Sequence, residues 1–452
     1  MKSDSLRVVL LLLCATAAAA AAASGAAGAD AGAQSAPSRP AVDSPELAQL
    51  GSYAVGVRTV TLVDRDAVDV LAPHRDRRLQ VDVWYPATVV QGARPEVYKS
   101  SLQSEPPGAP VPFSMRGIAV RDAKPIREHY PLIIVSHGRS NATVALSWLT
   151  ENLASKGYVV AAIRHEDPLR SEPREFPEIL LRRPLDVAFV ARTLQRSLAE
   201  QGQVDSARTA LIGYSMGGYA VLTAAGGALD PNSAAAKLVP DKLLAPFAQG
   251  GARHEETRVQ GLRAVVAIAP WGGSYAAWGS AGIAGITAPL LLISGDRDQT
   301  VDYATGAHAF LEAATGTQRY LLTFRGAGHA IGFDPAPQEM GHSLWDISWF
   351  EDPVWRKERV IGVSLHMITA FLDRYLKGDE SRAAYLDGLV PDGATGQWQA
   401  PAGTGYGAYS PGGSGVTLWK GFQRGYAEGL EFQRRDLKAV EGAPAASPAT
   451  AP

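Results

Sequence analysis

Cysteine is almost absent from this chain: Cys14 is the single one in 452 residues, and it lies in an N-terminal apolar stretch. A chain processed beyond that point has no disulfide and no cysteine nucleophile, so its stability must come from its core. Net charge is nearly absent too, with 43 Lys+Arg against 45 Asp+Glu and a formal charge of −2. That balance excludes electrostatic capture of nucleic acid or of an acidic membrane surface as the main task. Metal signatures are lacking: the nine histidines form no His-Glu-x-x-His, and His254-Glu255-Glu256 has no second histidine. Neither a Gly-x-x-x-x-Gly-Lys phosphate loop nor a dinucleotide Gly-x-Gly-x-x-Gly after a strand is found, and no internal repeat. No metal and no cofactor are expected.

What is present begins with an export-type leader. Lys2 and Arg7 precede an apolar run over residues 8–13 and an alanine tract, and small residues from 21 to 33 offer cleavage sites. The reading is a signal peptide over residues 1–23 and a periplasmic or secreted destination. The alternative, an uncleaved anchor, is disfavoured because an alanine-dominated stretch spans a bilayer poorly. Leu13 before Cys14 does not fit a lipoprotein cleavage site. Residues 24–48, rich in Ala, Ser, Pro and Gly, read as a linker, and no stable membrane anchor is expected.

Residues 57–62 and 79–84 alternate at period two, as antiparallel strands opening a sheet would. Continuous apolar runs then recur at 131–136, 158–163, 209–212, 264–269, 289–294 and 319–323, as strands buried on both faces would. Helices are expected between them, at 144–156 with Gly157 as C-cap and at 185–198 entered at Pro184. A last helix at 360–376 carries Val360, Val363, Met367 and Phe371 on one stripe. Strand–helix alternation implies an α/β domain with a mostly parallel sheet, over residues 49–390. Residues 226–261 form an insertion with a possible helical cap at 233–244. The Gly/Pro-rich residues 391–452 read as a C-terminal extension with a disordered end.

The chemistry sits on strand ends. Residues 209–212 feed Gly213-Tyr214-Ser215-Met216-Gly217-Gly218, and a small-residue helical run follows. A Gly-x-Ser-x-Gly at a strand-to-helix turn holds the serine hydroxyl exposed above a sheet, with glycines where side chains would clash. A serine needs a base to take its proton, and that base needs an acid to orient it. Asp298 follows the 289–294 strand and His329 follows the 319–323 strand within Gly326-Ala327-Gly328-His329. The candidates are therefore Ser215, His329 and Asp298, with Asp296 as a turn or cap residue in the second rank. The oxyanion hole would use the backbone N–H groups of Met216 and of Arg139, in Ser136-His137-Gly138-Arg139. His137, beside that loop, suits a structural role. Trp271, in Ala269-Pro270-Trp271-Gly272, either lines an acyl or alcohol pocket or is a buried core side chain, and Trp278 is a weaker candidate of the same kind.

These residues resemble the α/β-hydrolase superfamily, and more narrowly predicted dienelactone hydrolases related to platelet-activating factor acetylhydrolases. The resemblance rests on Val81-Asp82-Val83-Trp84-Tyr85-Pro86, Val135-Ser136-His137-Gly138, the Ser215 elbow, Gly295-Asp296-Arg297-Asp298, Gly328-His329 and the helix ending at Leu376. It covers most of residues 50–390. Dienelactone hydrolases themselves use a cysteine nucleophile, where this chain has Ser215. The Ser-Met-Gly-Gly elbow is also similar to that of bacterial cutinases and polyester hydrolases, which carry an aromatic residue where this chain has Arg139. The resemblance implies an α/β-hydrolase fold and an exported serine esterase with an acyl-enzyme intermediate, acting on a small-molecule or lipid ester. The alternatives are a lipase, cutinase or phospholipid deacetylase, or, in another class, a catalytically silent binding protein on the same fold.

Overall fold

The computed structural model describes residues 43–65, 76–102, 110–399, 403 and 416–437, without the side chains of 280 and 281. The expected leader, most of the expected linker and the last residues of the C-terminal extension lie outside the described residues.

Thirteen strands are described: β1 (Ala54–Asp64), β2 (Arg77–Thr88), β3 (Val97–Leu102), β4 (Val111–Arg116), β5 (Val120–Arg121), β6 (Lys124–Pro125), β7 (Tyr130–Ser136), β8 (Val159–Arg164), β9 (Val204–Tyr214), β10 (Leu262–Ile268), β11 (Leu290–Gly295), β12 (Arg319–Phe324) and β13 (Leu430–Arg435). All but the β3–β4 hairpin join one sheet in the order β13-β12-β11-β10-β9-β7-β8-β2-β1-β5, with β6 beside β2. From β8 to β12 neighbouring strands run parallel. Every residue of β7, β11 and β12 is buried, which explains their unbroken apolar sequences. The opening pair is antiparallel with Val57 opposite Trp84 and Leu62 opposite Leu79, the register that the period-two pattern anticipates.

The α-helices are α1 (Ser147–Ser155), α2 (Glu175–Glu200), α3 (Met216–Ala224), α4 (Ala234–Lys237), α5 (Gly279–Gly282), α6 (Ala309–Ala313), α7 (Leu344–Phe350) and α8 (Lys357–Lys377). Helix α2 corrects the sequence expectation: it starts at Glu175 and carries Pro184 in its interior instead of at its entrance. A proline there cannot donate to the carbonyl four residues back. That carbonyl, on Leu180, is satisfied instead by the Tyr219 hydroxyl of α3 at 3.0 Å. Tertiary packing thus lets the helix continue through a residue that reads locally as a start signal.

The described segments around residues 47 and 420 are tied to α8. Lys156 Nζ, buried and lowered to about 7 by that burial, donates to the Leu47 carbonyl at 2.6 Å. Leu47 N donates to His366 Nδ1 (3.1 Å), and His366 Nε2 donates to the Lys420 carbonyl (3.1 Å). Residues 46–48, grouped with the linker by composition, are therefore docked as a short 3-10 turn. The extension likewise returns to the sheet, β13 pairing antiparallel with β12 from Leu430–Phe324 to Arg435–Arg319. Only Leu430 and Phe432 of that strand are buried, a pattern too short and polar to stand out by composition. The 226–261 insertion comprises α4, capped by Ser233 Oγ accepting from Ala236 N (3.0 Å), and isolated 3-10 turns. It rejoins the body where Val259 N donates to the Ala224 carbonyl at the end of α3 (2.8 Å).

Candidate active site

Parallel strands bring their carboxyl ends to one rim, where side chains from distant parts of the sequence can meet. The residues after β7, β9, β10, β11 and β12 do so here.

Ser215 sits between β9 and α3 with φ 55° and ψ −118°. For a residue with a side chain this left-handed geometry costs on the order of 1–3 kcal/mol, held in place by surrounding bonds. Ser215 N donates to the Ile268 carbonyl (2.9 Å), and the Ser215 carbonyl accepts from Trp271 N (3.0 Å) and Tyr219 N (3.2 Å). The elbow glycines are steric necessities: a Cβ on Gly213 would lie 2.2 Å from the Gly217 carbonyl oxygen, and one on Gly217 would lie 1.9 Å from that of Ser136.

His329 Nε2 lies 3.0 Å from Ser215 Oγ, and its Nδ1 lies 2.7 Å from Asp298 Oδ2. A carboxylate only accepts, so Nδ1 carries the proton and a neutral ring accepts the serine hydroxyl at Nε2. The other Asp298 oxygen accepts from Thr300 N (2.9 Å) and Val301 N (3.1 Å), and the side chain is fully buried. Asp296 instead accepts from Gly326 N at 2.6 Å, the turn role held open for it.

Tyr214, the variable residue of the pentapeptide, is a partner that sequence reasoning passed over. Its ring stacks on the His329 imidazole, with centroids 5.2 Å apart and planes 28° apart, and its hydroxyl donates to the His329 carbonyl (2.9 Å). Gly332 leaves room for that ring, since a Cβ there would lie 2.4 Å from it. The loop beyond the histidine is fastened by Trp148 Nε1 on the Gly332 carbonyl (3.1 Å) and by Lys357 Nζ on that of Ala330 (2.5 Å). Asp334, in the same loop, accepts from Ser147 Oγ and Trp148 N; burial raises it to about 7.

Met216 opens α3, where a first-turn N–H has no intrahelical acceptor. Arg139 sits in the loop after β7, its guanidinium bidentate on Glu175 (2.6 and 2.5 Å) and over the Phe176 ring. His137 is 3% exposed, lowered to about 3 by burial and then by Arg183, and its Nδ1 donates to the Gly138 carbonyl (2.7 Å). It is therefore a neutral ring bound to its own loop.

Trp271 stacks on the partly exposed Tyr275 (4.8 Å, 28°) and meets Phe176 (5.4 Å) and Tyr219 (5.5 Å) edge-on. Its backbone contact with Ser215 puts this aromatic group beside that serine. Trp278 belongs elsewhere. Its Nε1 donates to Thr223 Oγ1 (3.1 Å), two turns along α3, and Phe310 covers it. Trp278 is 3% exposed, and its ring also meets Tyr219, at 5.6 Å. Among the described residues, no three His, Cys, Asp or Glu are grouped to hold a metal ion.

Comparison with known proteins adds to this geometry. A family model described as PET hydrolase-like matches residues 126–243, which include the β7 loop and Ser215. A cutinase of Thermobifida alba is 24% identical over 223 residues, 49% of this chain and 60% of the relative. A cutinase of Thermobifida cellulosilytica is 26% identical over 201 residues, 44% of this chain and 60% of the relative. The chain thus spans about 60% of the length of these relatives. A ferulic acid esterase from Streptomyces cinnamoneus superposes with a TM-score of 0.50 at 22% identity, covering 72% of this chain and 91% of the esterase. The chain has the α/β-hydrolase fold. None of these three relatives is a dienelactone hydrolase or a platelet-activating factor acetylhydrolase, and the narrower resemblance to that group is not shown. In this α/β-hydrolase the family match ends before Asp298 and His329, which the tertiary structure brings to Ser215. Among the described residues no helix is long and apolar enough to cross a membrane.

Proposed function

We propose that this α/β-hydrolase is an exported serine carboxylic-ester hydrolase working through an acyl-enzyme intermediate. The observation that carries the reading is the unbroken chain Ser215 Oγ–His329–Asp298 at a strained elbow. His329 Nε2 takes the Ser215 proton as Oγ attacks the ester carbonyl. The N–H groups of Met216 and Arg139 hold the oxyanion that develops. The imidazolium, steadied by Asp298, returns its proton to the leaving alcohol, then activates water to release the acid and restore Ser215. Export rests on the basic and apolar pattern of residues 1–23.

A second reading is a cutinase- or lipase-like preference for larger acyl or polymeric esters. It is favoured by the cutinase relatives and by the Trp271–Tyr275–Phe176 aromatic group beside Ser215. A fluorophosphonate probe followed by an ester chain-length panel tests both. Covalent labelling at Ser215 and turnover of short p-nitrophenyl esters are expected; no labelling would favour a silent binding protein. Activity confined to long chains or polymer would favour the second reading.

A further inference from the structure

Arg183 has no part in the proposed chemistry, yet it is a fully buried guanidinium aimed at the oxyanion loop from α2. It donates through Nη1 to the His137 carbonyl and through Nη2 to the Gly138 carbonyl (3.0 Å). Asp167 faces it from the other side, accepting from Nη2 and from Nε (3.3 Å). Burial alone would raise the Asp167 carboxyl, but the Arg183 charge outweighs this and holds it low, so the pair stays ionised. Burying such a pair costs several kcal/mol per ion before the attraction is counted, and an apolar pair would often serve stability as well. The planar fork holds two successive peptide carbonyls in a fixed geometry, which the flexible ammonium of a lysine does not impose.

We infer that Arg183 is a positioning residue that aims the Arg139 N–H at the oxyanion; the inference rests on the ester-hydrolase reading. In a trans peptide the carbonyl and the N–H of one unit point in opposite directions. Holding the Gly138 carbonyl toward α2 therefore turns the N–H of Arg139, in the same peptide unit, away from α2. That unit passes close to the nucleophile: a Cβ built on Gly138 would lie 3.1 Å from the Tyr214 ring and 3.4 Å from Ser215 Cβ. The second donor to the same carbonyl is the neutral His137 Nδ1, whose ring rests edge-on against His165 (5.3 Å). With two donors on one carbonyl, the peptide plane cannot rotate without breaking both bonds. The donor is thus fixed before substrate arrives, and such preorganisation accelerates the chemical step more than it improves binding.

The test is the preference of the enzyme for an ester over its thionoester, in which sulfur replaces the carbonyl oxygen and accepts hydrogen bonds poorly. Arg183→Lys and Arg183→Gln are compared with the wild-type chain, active sites being counted by exhaustive fluorophosphonate labelling. The expected result is kcat per labelled site lowered by about 10- to 1,000-fold, KM within about threefold, and a collapse of the ester-to-thionoester ratio. Arg183→Lys should retain more of the ratio than Arg183→Gln. If neither variant folds, Asp167→Asn, which releases one hold on the fork, should shift the ratio in the same direction by less. An unchanged ratio in the folded variants overturns the inference alone. Failure of the wild-type chain to label at Ser215 rejects the ester reading and this inference together.

Discussion

Two chains of serine, histidine and aspartate run through this fold with nearly the same distances. In one, Ser215 Oγ lies 3.0 Å from His329 Nε2, and His329 Nδ1 lies 2.7 Å from Asp298. In the other, Ser136 Oγ lies 2.8 Å from His165 Nε2, and His165 Nδ1 lies 2.9 Å from Asp186. The bond order is identical and the surroundings are not. Ser136 is the last residue of β7, extended and fully buried, whereas Ser215 occupies a left-handed elbow ahead of a helix N-terminus. The His329 side chain keeps 20% of its surface exposed and that of His165 keeps none. Asp186 is also bound bidentately by Arg77 (2.9 and 2.8 Å), so its charge is already matched within the wall of the protein. A serine–histidine–aspartate relay is therefore only a way of satisfying three polar groups. Access and backbone strain are what separate the two copies, and under the proposed function they suit one to chemistry and leave the other as a strut beside the loop after β7.

The widest separation between the two chains should come from their serines. Ser215→Ala should lower kcat by about 10⁴-fold or more and abolish fluorophosphonate labelling. Ser136→Ala should label normally and lose about 1–3 kcal/mol of stability, because His165 Nε2 is left without its donor. Labelling lost in Ser136→Ala, with the protein still folded, would break the comparison.

The aspartates should part in the same way. Asp298→Asn should lower kcat by about 10⁴-fold with little change in melting temperature, since the wrong tautomer of His329 would then face Ser215. Asp186→Asn should instead cost about 3–5 kcal/mol in stability, as a buried partner is removed from Arg77, with kcat per labelled site nearly retained. Equal kinetic losses in the two would erase the distinction.

The smallest effect is on acid stability. Burial holds His165 below its ordinary value and takes His137 and His366 down to about 3. Below pH 6.5 the unfolded chain then binds protons that the native one refuses, so stability falls as pH drops from 6.5 toward 3. The loss should be about 1 kcal/mol for each of His137 and His366 between pH 6.5 and 5.5, measured as a shift in the urea midpoint. His366→Gln should remove one histidine's share of that slope.

Much of this could be read along the chain because it is local. The buried strands announce themselves as unbroken apolar runs, and Gly213 is demanded by a turn whose atoms lie within five residues, whereas Gly217 is demanded by the Ser136 carbonyl at the end of β7. Pro184 and the residues around 430 misled for the converse reason: a helix passes through the first because a hydroxyl from α3 satisfies the released carbonyl, and the second is a strand because β12 is beside it. Trp271 and Trp278 look alike in sequence, and only the fold shows the first bonded through its backbone to Ser215 and the second through its indole to Thr223.

By itself, the sequence determined the alternation of strands and helices and the order in which serine, acid and histidine follow their strands. Both come from local periodicity and turn chemistry, which need no distant partner. The tertiary structure decided which of two similarly spaced relays is partly open to solvent, that Tyr214 stacks on His329, and that Arg183 reaches the loop after β7. Those depend on solvent access and on contacts between residues 29 to 115 positions apart, and neither has a counterpart in linear order.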